Sequence, residues 1–273
     1  MSDQVGYECA LITGASGGLG EEFAHQLAPQ CQRMVLVARR DVVLKEVEAR
    51  LARENPAVKI TSVATDLTRE ASRRELIHRL AGTEWAPSLL VNNAGMGDYG
   101  EFATGDWEKV QQMLDLNVGA ATHLAHGFLA PMVASGRGAI LNVSSLASVL
   151  PIPDFAVYAA SKAYLTSFSE ALRLELRDYG IPVLAVCPGP VRTDFGETAG
   201  REGAPVESPS REWFYVSKEE VVRDALGALR RDCARVYPGW KVGLLAAGLS
   251  ILPMVAIRYL MGHRPRRVSG DDT

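Results

Sequence analysis

The 273-residue chain has only four cysteines, Cys9, Cys31, Cys187 and Cys233, and no Cys-x-x-Cys pair. That scarcity excludes a thiolate zinc site and a disulfide framework, and leaves reduced, buried thiols as the reading. Among His25, His78, His123, His126 and His263, only His123 and His126 share a helix face, without cysteine or carboxylate partners beside them, so no metal is expected. An excess of one charge is missing too. The net charge is −3, with basic and acidic residues interspersed, so no positive face is offered to a phosphate backbone and no nucleic-acid partner is expected. Met1 to Glu8 lacks the basic patch and apolar run of a secretory signal, which predicts a cytoplasmic location.

What is present is an ordinary globular composition, 47% hydrophobic and 22% charged, in a chain long enough for one substantial core. Apolar runs at Cys9 to Thr13, Met34 to Ala38, Ile60 to Val63, Leu89 to Asn92, Ala139 to Val143 and Val183 to Val186 read as buried parallel strands. Between them, Asp41 to Glu54 and Tyr164 to Tyr179 carry leucines, Val47 and Phe168 at helical spacing. Strand followed by helix, repeated to Cys187, predicts an α/β fold: a doubly wound parallel sheet with ligands outside the carboxyl ends of its strands. The rhythm breaks after Pro188. Val191 to Val216 is rich in Gly, Pro, Ser and Glu but ends in Trp213, Phe214 and Tyr215, the composition of a lid or of a solvated insertion. Ser217 to Arg230 resumes helical periodicity, and Val236 and Tyr237 read as a last short strand.

Each motif that carries chemistry falls at a strand end. Gly14, Gly18 and Gly20 lie between the first strand and a helix whose amino terminus offers free N–H groups to a pyrophosphate. Their spacing departs from G-x-G-x-x-G, so alone they also fit a tight turn. After the second strand, where dinucleotide folds place an acid on the adenosine ribose, the chain has Ala38, Arg39 and Arg40. Two guanidinium groups there suit a 2′-phosphate and select NADP, or else form a solvated pair. Asp66 either accepts from an adenine amino group or caps a helix, and Asn92-Asn93-Ala94-Gly95 ends the fourth strand. Tyr158 and Lys162 stand at i and i+4, which puts phenol and ammonium on one helix face, where the cation can stabilise the phenolate. Ser145 precedes them at the end of the fifth strand.

Taken in order, the glycine turn at 13 to 20, Asp66, Asn92 to Gly95, Asn117, Ser145, Tyr158, Lys162 and Pro188-Gly189 resemble the short-chain dehydrogenase/reductase family, over roughly residues 8 to 240. The resemblance implies an NADP-dependent oxidoreductase in which Tyr158 is the general acid/base and Ser145 orients the substrate oxygen. Lys162 would lower the tyrosine pKa and hold the nicotinamide ribose, and Asn117 would hold a water that links Lys162 to solvent. It also implies a cofactor cradle of Gly14, Ser16, Gly18, Leu19, Gly20, Arg39, Arg40, Asp66, Leu67, Asn93, Ala94, Gly95, Tyr158, Lys162, Pro188, Gly189, Val191 and Thr193, with Thr193 on the nicotinamide carboxamide. An epimerase or isomerase that retains NADP, and a redox-sensing binding module, are rival uses of the same scaffold.

Leu146, Val149, Leu150, Pro151, Ile152 and Phe155 suggest an apolar pocket wall and a bulky ketone, aldehyde or secondary alcohol as substrate. The domain is expected over 1–240, with a lid at 190–216, followed by an apolar extension and polar tail at 241–273. Val242 to Ile257 carries no charge, is shorter than the ~20 residues a bilayer span needs, and is expected to be interrupted at Gly243, Gly248 and Pro253. It is expected to cover the cleft and support a homo-oligomer, a dimer or tetramer. Peripheral membrane contact through 242–261, aided by Arg264, Arg266 and Arg267, is the competing expectation. This carboxyl segment departs from compact ketoacyl reductases, which counts against an acyl-chain ketone as substrate.

Overall fold

Continuous apolar runs dictate strands covered on both faces. β1 (Tyr7–Thr13), β2 (Cys31–Ala38), β3 (Lys59–Ala64), β4 (Leu89–Asn92), β5 (Ala139–Val143), β6 (Val183–Val186) and β7 (Arg235–Val236) form one parallel sheet, ordered β3-β2-β1-β4-β5-β6-β7. Every residue of β4, β5 and β6 is buried, whereas the edge strand β3 turns Lys59 and Ala64 to solvent. The computed structural model describes residues 6–193, 195–200 and 215–263. Among these, the helices are α1 (Gly18–Leu27), α2 (Asp41–Glu54), α3 (Glu70–Leu80), α4 (Trp107–Leu114), α5 (Ala121–Ser135), α6 (Ala156–Glu175), α7 (Phe195–Ala199), α8 (Lys218–Arg230), α9 (Trp240–Ile251) and α10 (Met254–Gly262).

The helices pack as two layers. Phe23, Leu27, Leu44, Leu51, Val221 and Val222 bury α1, α2 and α8 against one face, and Leu76, Leu124, Phe128 and Leu172 bury α3, α5 and α6 against the other. Because β1 lies between β2 and β4, the chain winds outward in both directions from it. A crevice therefore opens above the carboxyl ends of β1 and β4.

Three elements depart from the pattern read in the sequence. The last strand is Arg235–Val236, one residue earlier than expected. Helix α6 begins at Ala156, because Ala159, Ala160 and Ser161 favour helix without adding a readable apolar stripe. Neither Gly243 nor Gly248 interrupts α9, since an interior glycine costs a helix only about 1 kcal/mol. The break comes at Pro253, whose ring holds Leu252 extended at ψ 131°, and α10 leaves at 114° to α9. Among the described residues no single helix is long and apolar enough to cross a membrane; only this bent pair together has the length and composition. Val242 is fully buried in the same core as α8, which seats the extension on the domain.

Candidate active site

The glycine turn is shaped by close backbone approach. Gly14 has φ +68°, and a Cβ there would stand 2.8 Å from Asn93 Nδ2; a Cβ on Gly20 would stand 2.2 Å from the Gly14 carbonyl oxygen. Only glycine lets α1 start this close to β1. Gly17 is the N-cap residue without a side-chain cap, so the first amides of α1, including that of Leu19, are not claimed by one. Thr13 Oγ1 donates to Val91 O at 3.2 Å and accepts from the amides of Asn93 at 2.9 Å and Ala94 at 3.0 Å, which ties the ends of β1 and β4 together. Thr193 closes the turn from the far side: its Cγ2 lies 3.4 Å from where a Cβ on Gly18 would be.

Arg39 and Arg40 separate in space. Arg40 reaches back over the glycine turn, where its NH2 donates to Ser16 O at 3.0 Å and Ser16 Oγ at 3.2 Å. Arg39 is exposed near Asp66. Asp66 Oδ1 accepts from Thr68 N at 3.1 Å and Thr68 Oγ1 at 2.7 Å, the turn-capping arrangement. Burial pushes the Asp66 carboxyl up, but the Thr68 bonds with the Arg39 and Arg69 charges win and hold it below its ordinary value. The neighbouring Leu67 is buried and its carbonyl accepts from Arg73 NH1 at 2.7 Å.

Tyr158 and Lys162 share a face of α6, below the end of β5, and both are almost fully buried. Lys162 Nζ donates to Val143 O at 2.9 Å and lies 5.7 Å from the centre of the tyrosine ring. Gly95 lines the same space, for a Cβ on it would stand 3.2 Å from both Lys162 Nζ and Asn117 Oδ1. Ser145 caps the turn Leu146–Val149, with Oγ accepting from Ala147 N at 3.1 Å. Leu146 N donates to Pro188 O at 2.8 Å, which carries β6's exit loop, Pro188-Gly189, to the serine. Burial pushes the Tyr158 phenol up to about 12, with the Ser145 hydroxyl pulling the other way, and burial brings Lys162 down to about 8. Phe155 stacks on the phenol with centroids 4.2 Å apart and Phe195 lies at 5.5 Å, so it sits in an apolar slot.

Asn117 lies in a π turn, Asp115–Ala120, a widened stretch of helix of the kind that often marks functional sites. Its side chain is held by Met96 and by Ser161, with Nδ2 donating to Ser161 Oγ at 3.0 Å. Of the six apolar residues expected to wall the pocket, Ile152 and Phe155 gather at Tyr158, whereas Leu146 joins the main core and Pro151 is exposed. Met96, Ala147 and Phe195 complete the wall. The segment after Thr193 docks beside it: Tyr99 N donates to Ala199 O at 2.8 Å, and Gly97 admits Phe195 so closely that a Cβ would stand 3.0 Å from its Cζ. Val191 pairs with Val216, which pins the two ends of the expected lid together. Trp213 and Phe214 lie outside the described residues, as do Arg264, Arg266 and Arg267.

The sequence matches the model of the short chain dehydrogenase family over residues 8–203. The chain belongs to that family. A very-long-chain 3-oxoacyl-CoA reductase-like protein of Arabidopsis thaliana is 32% identical over 270 residues, 95% of this chain and 83% of the relative. Among solved structures, a short-chain dehydrogenase from Sphingobium yanoikuyae in complex with NADPH aligns with a TM-score of 0.80 at 32% identity, covering 97% of this chain and 100% of the other. A bulky-bulky ketone specific alcohol dehydrogenase from Comamonas testosteroni gives 0.76 at 30% identity, covering 96% and 97%.

Four residues of this short-chain dehydrogenase site went unread in the sequence. Thr13 was legible as part of the glycine turn but not as the clamp between β1 and β4. Met96, in the loop after β4, and Phe195, at the start of α7, reach the phenol from separate segments, with no spacing that relates them to it. Arg73 stands at helical spacing with the buried Leu76 and Leu80 of α3, so it is buried where an arginine is ordinarily solvated.

Proposed function

We propose that this oxidoreductase reduces a ketone or aldehyde carried on a bulky apolar molecule, with NADPH as reductant. The reading rests on the slot around Tyr158, where a neutral phenol stands among Phe155, Phe195, Met96 and Ile152 beside the Ser145 hydroxyl. The cradle fits a phosphorylated dinucleotide. Gly14 and Gly20 let the backbone pass where any Cβ would collide, the helix amino terminus faces the crevice, and Arg40 stands on Ser16 at that end with no carboxylate at the end of β2. When bound, NADPH supplies the hydride to the carbonyl carbon. Ser145 orients the carbonyl oxygen, and Tyr158 delivers its proton to that oxygen as the alcohol forms. Lys162, charged below about pH 8, holds positive charge beside the phenol and is placed to meet the cofactor's ribose hydroxyls.

The names of two similar proteins, a reductase-like protein of very long acyl chains and an alcohol dehydrogenase of bulky ketones, agree with a large apolar substrate. A panel of aryl ketones, long-chain 3-oxoacyl thioesters and small polar ketones, each with NADPH and with NADH, tests the reading by loss of reduced-cofactor absorbance. Turnover of the large apolar members with NADPH is the expected result. Turnover confined to small polar ketones, or equal use of NADH, overturns it.

A further inference from the structure

A lysine side chain is among the most flexible, yet Lys162 has to keep its ammonium at one height beside Tyr158. It is tied at both ends to two consecutive residues at the end of β5. Its Nζ donates to Val143 O at 2.9 Å, and its own main-chain carbonyl accepts from Ser144 Oγ at 2.8 Å.

The Ser144 hydroxyl is held in turn. Its Oγ lies 2.6 Å from Thr166 Oγ1, one helical turn beyond Lys162, and Thr166 Oγ1 lies 3.7 Å from Cys187 Sγ, the residue after β6. Counting protons gives the chain a direction. Ser144 has one hydrogen and gives it to the Lys162 carbonyl, so Thr166 is the donor to Ser144, and the Cys187 S–H is the donor to Thr166. Every link therefore donates toward Lys162. A thiolate could not start the chain, and burial pushes the Cys187 thiol up, which keeps its hydrogen in place. The sheet fixes two of the links by their backbone: Ser144 N donates to Val186 O at 2.7 Å and Cys187 N to Val236 O at 2.8 Å.

We propose that Thr166 and Cys187 are positioning residues for Lys162, acting through Ser144 to hold the turn of α6 that carries the ammonium. Ser144, Thr166 and Cys187 are all buried, where apolar side chains would fill the space with no polar group to satisfy. A fully bonded polar chain instead specifies one arrangement. It ends on the lysine of the proposed acid pair, while Ser161 Oγ donates to Tyr158 O at 2.7 Å from another side. The inference rests on the reading of Tyr158 and Lys162 as the proton donor and its cationic partner.

The test compares Thr166→Val, which keeps the shape and loses the hydroxyl, with Thr166→Ser, which keeps the hydroxyl. With a carbonyl compound that the unaltered enzyme reduces, Thr166→Val should lower kcat by about fivefold or more and leave the carbonyl KM within about twofold, because geometry and not substrate binding is lost. Its NADPH dissociation constant, read by fluorescence without substrate, should rise by about threefold or more, since Lys162 is placed to meet the ribose. Thr166→Ser should recover most of both losses. Cys187→Ala should be slowed less, and the double variant should be no slower than Thr166→Val alone, because the chain is already broken at Thr166. If Thr166→Val does not fold, Cys187→Ala against Cys187→Ser makes the same comparison. A lowered thermal midpoint with kcat unchanged overturns the proposal, as does a Thr166→Ser as slow as Thr166→Val, or losses that multiply in the double variant. Failure of the carbonyl reading shows separately, in an unaltered enzyme that reduces none of the panel, and the NADPH dissociation constants then decide: values unchanged by Thr166→Val overturn the chain.

Discussion

Asn117 grips both polar groups of Met96: Nδ2 donates to the Met96 carbonyl at 2.9 Å, and Oδ1 accepts from the Met96 N–H at 2.9 Å. The second amide hydrogen goes to Ser161, next in sequence to Lys162. Both donors are therefore spent on fixing the loop after β4 against the π turn and α6. Asn117→Ala would leave the Met96 peptide without its partner in a partly buried place, at up to about 1–3 kcal/mol for each unsatisfied group that water does not reach. A lowered thermal midpoint together with reduced turnover is expected. Turnover lost at an unchanged midpoint would mean that the asparagine acts on the proton path and not through Met96.

Tyr158→Phe keeps the ring that stacks on Phe155 and removes the only proton the phenol can give. Turnover should fall by at least about a hundredfold, the usual worth of a positioned general acid, while NADPH affinity measured by fluorescence is retained. Near-normal turnover would exclude the mechanism.

The two arginines after β2 should differ. Arg40 bonds Ser16 over the glycine turn, whereas Arg39 lies toward Asp66. Arg40→Ala is expected to raise the NADPH KM by about tenfold or more, the worth of a charge-assisted contact, and to leave the NADH KM nearly unchanged. Arg39→Ala should have the smaller effect. Equal losses with both cofactors would remove the 2′-phosphate from the account.

The central strands were legible because burial on both faces leaves runs such as Leu89 to Asn92 with no alternation to misread, and the observed bounds of β4, β5 and β6 match. Tyr158, Lys162 and Ser145 were legible because a helix repeat and a strand end fix their relation locally. The slot was less so. Phe195 and Met96 meet Tyr158 only through the docking of α7 and the loop after β4, and the separation of Arg39 from Arg40 depends on a single turn of backbone between neighbours. The helix pair at the carboxyl end was misread at its glycines, whose cost is small beside the burial of Val242 and Ala246.

The pH dependence follows from the two buried groups. Reduction needs Tyr158 protonated and Lys162 charged. With Tyr158 at about 12 and Lys162 at about 8, kcat/KM for reduction should hold through neutral pH and fall as Lys162 loses its proton above about 8. Oxidation of an alcohol needs the phenolate and should gain with pH while Lys162 remains charged. A reduction profile that rises from pH 7 to 9 would contradict the assignment of the phenol as acid.

Arg73 supplies the most specific test of how the site is held. It is only 6% exposed, yet its guanidinium is spent largely on backbone: NH1 donates to Leu67 O at 2.7 Å, Thr68 O at 3.0 Å and Asp115 O at 3.4 Å. Nε points to His123 Nδ1 at 3.4 Å, which requires that nitrogen to be unprotonated; burial first, and the Arg73 charge second, hold His123 below its ordinary pKa. One side chain thus joins the loop that carries Asp66 and Leu67 to the first residue of the π turn that carries Asn117. Arg73→Met fills much of the same volume but leaves those carbonyls without a donor, at about 1–3 kcal/mol each where they stay dry. The thermal midpoint should fall. Because the freed loop belongs to the proposed cofactor cradle, the NADPH KM should rise more than kcat falls, and Arg73→Lys, which keeps the charge but not the fork, should recover part of both. A lower midpoint with an unchanged NADPH KM would reduce Arg73 to a buried prop for α3 and separate the cradle from the π turn.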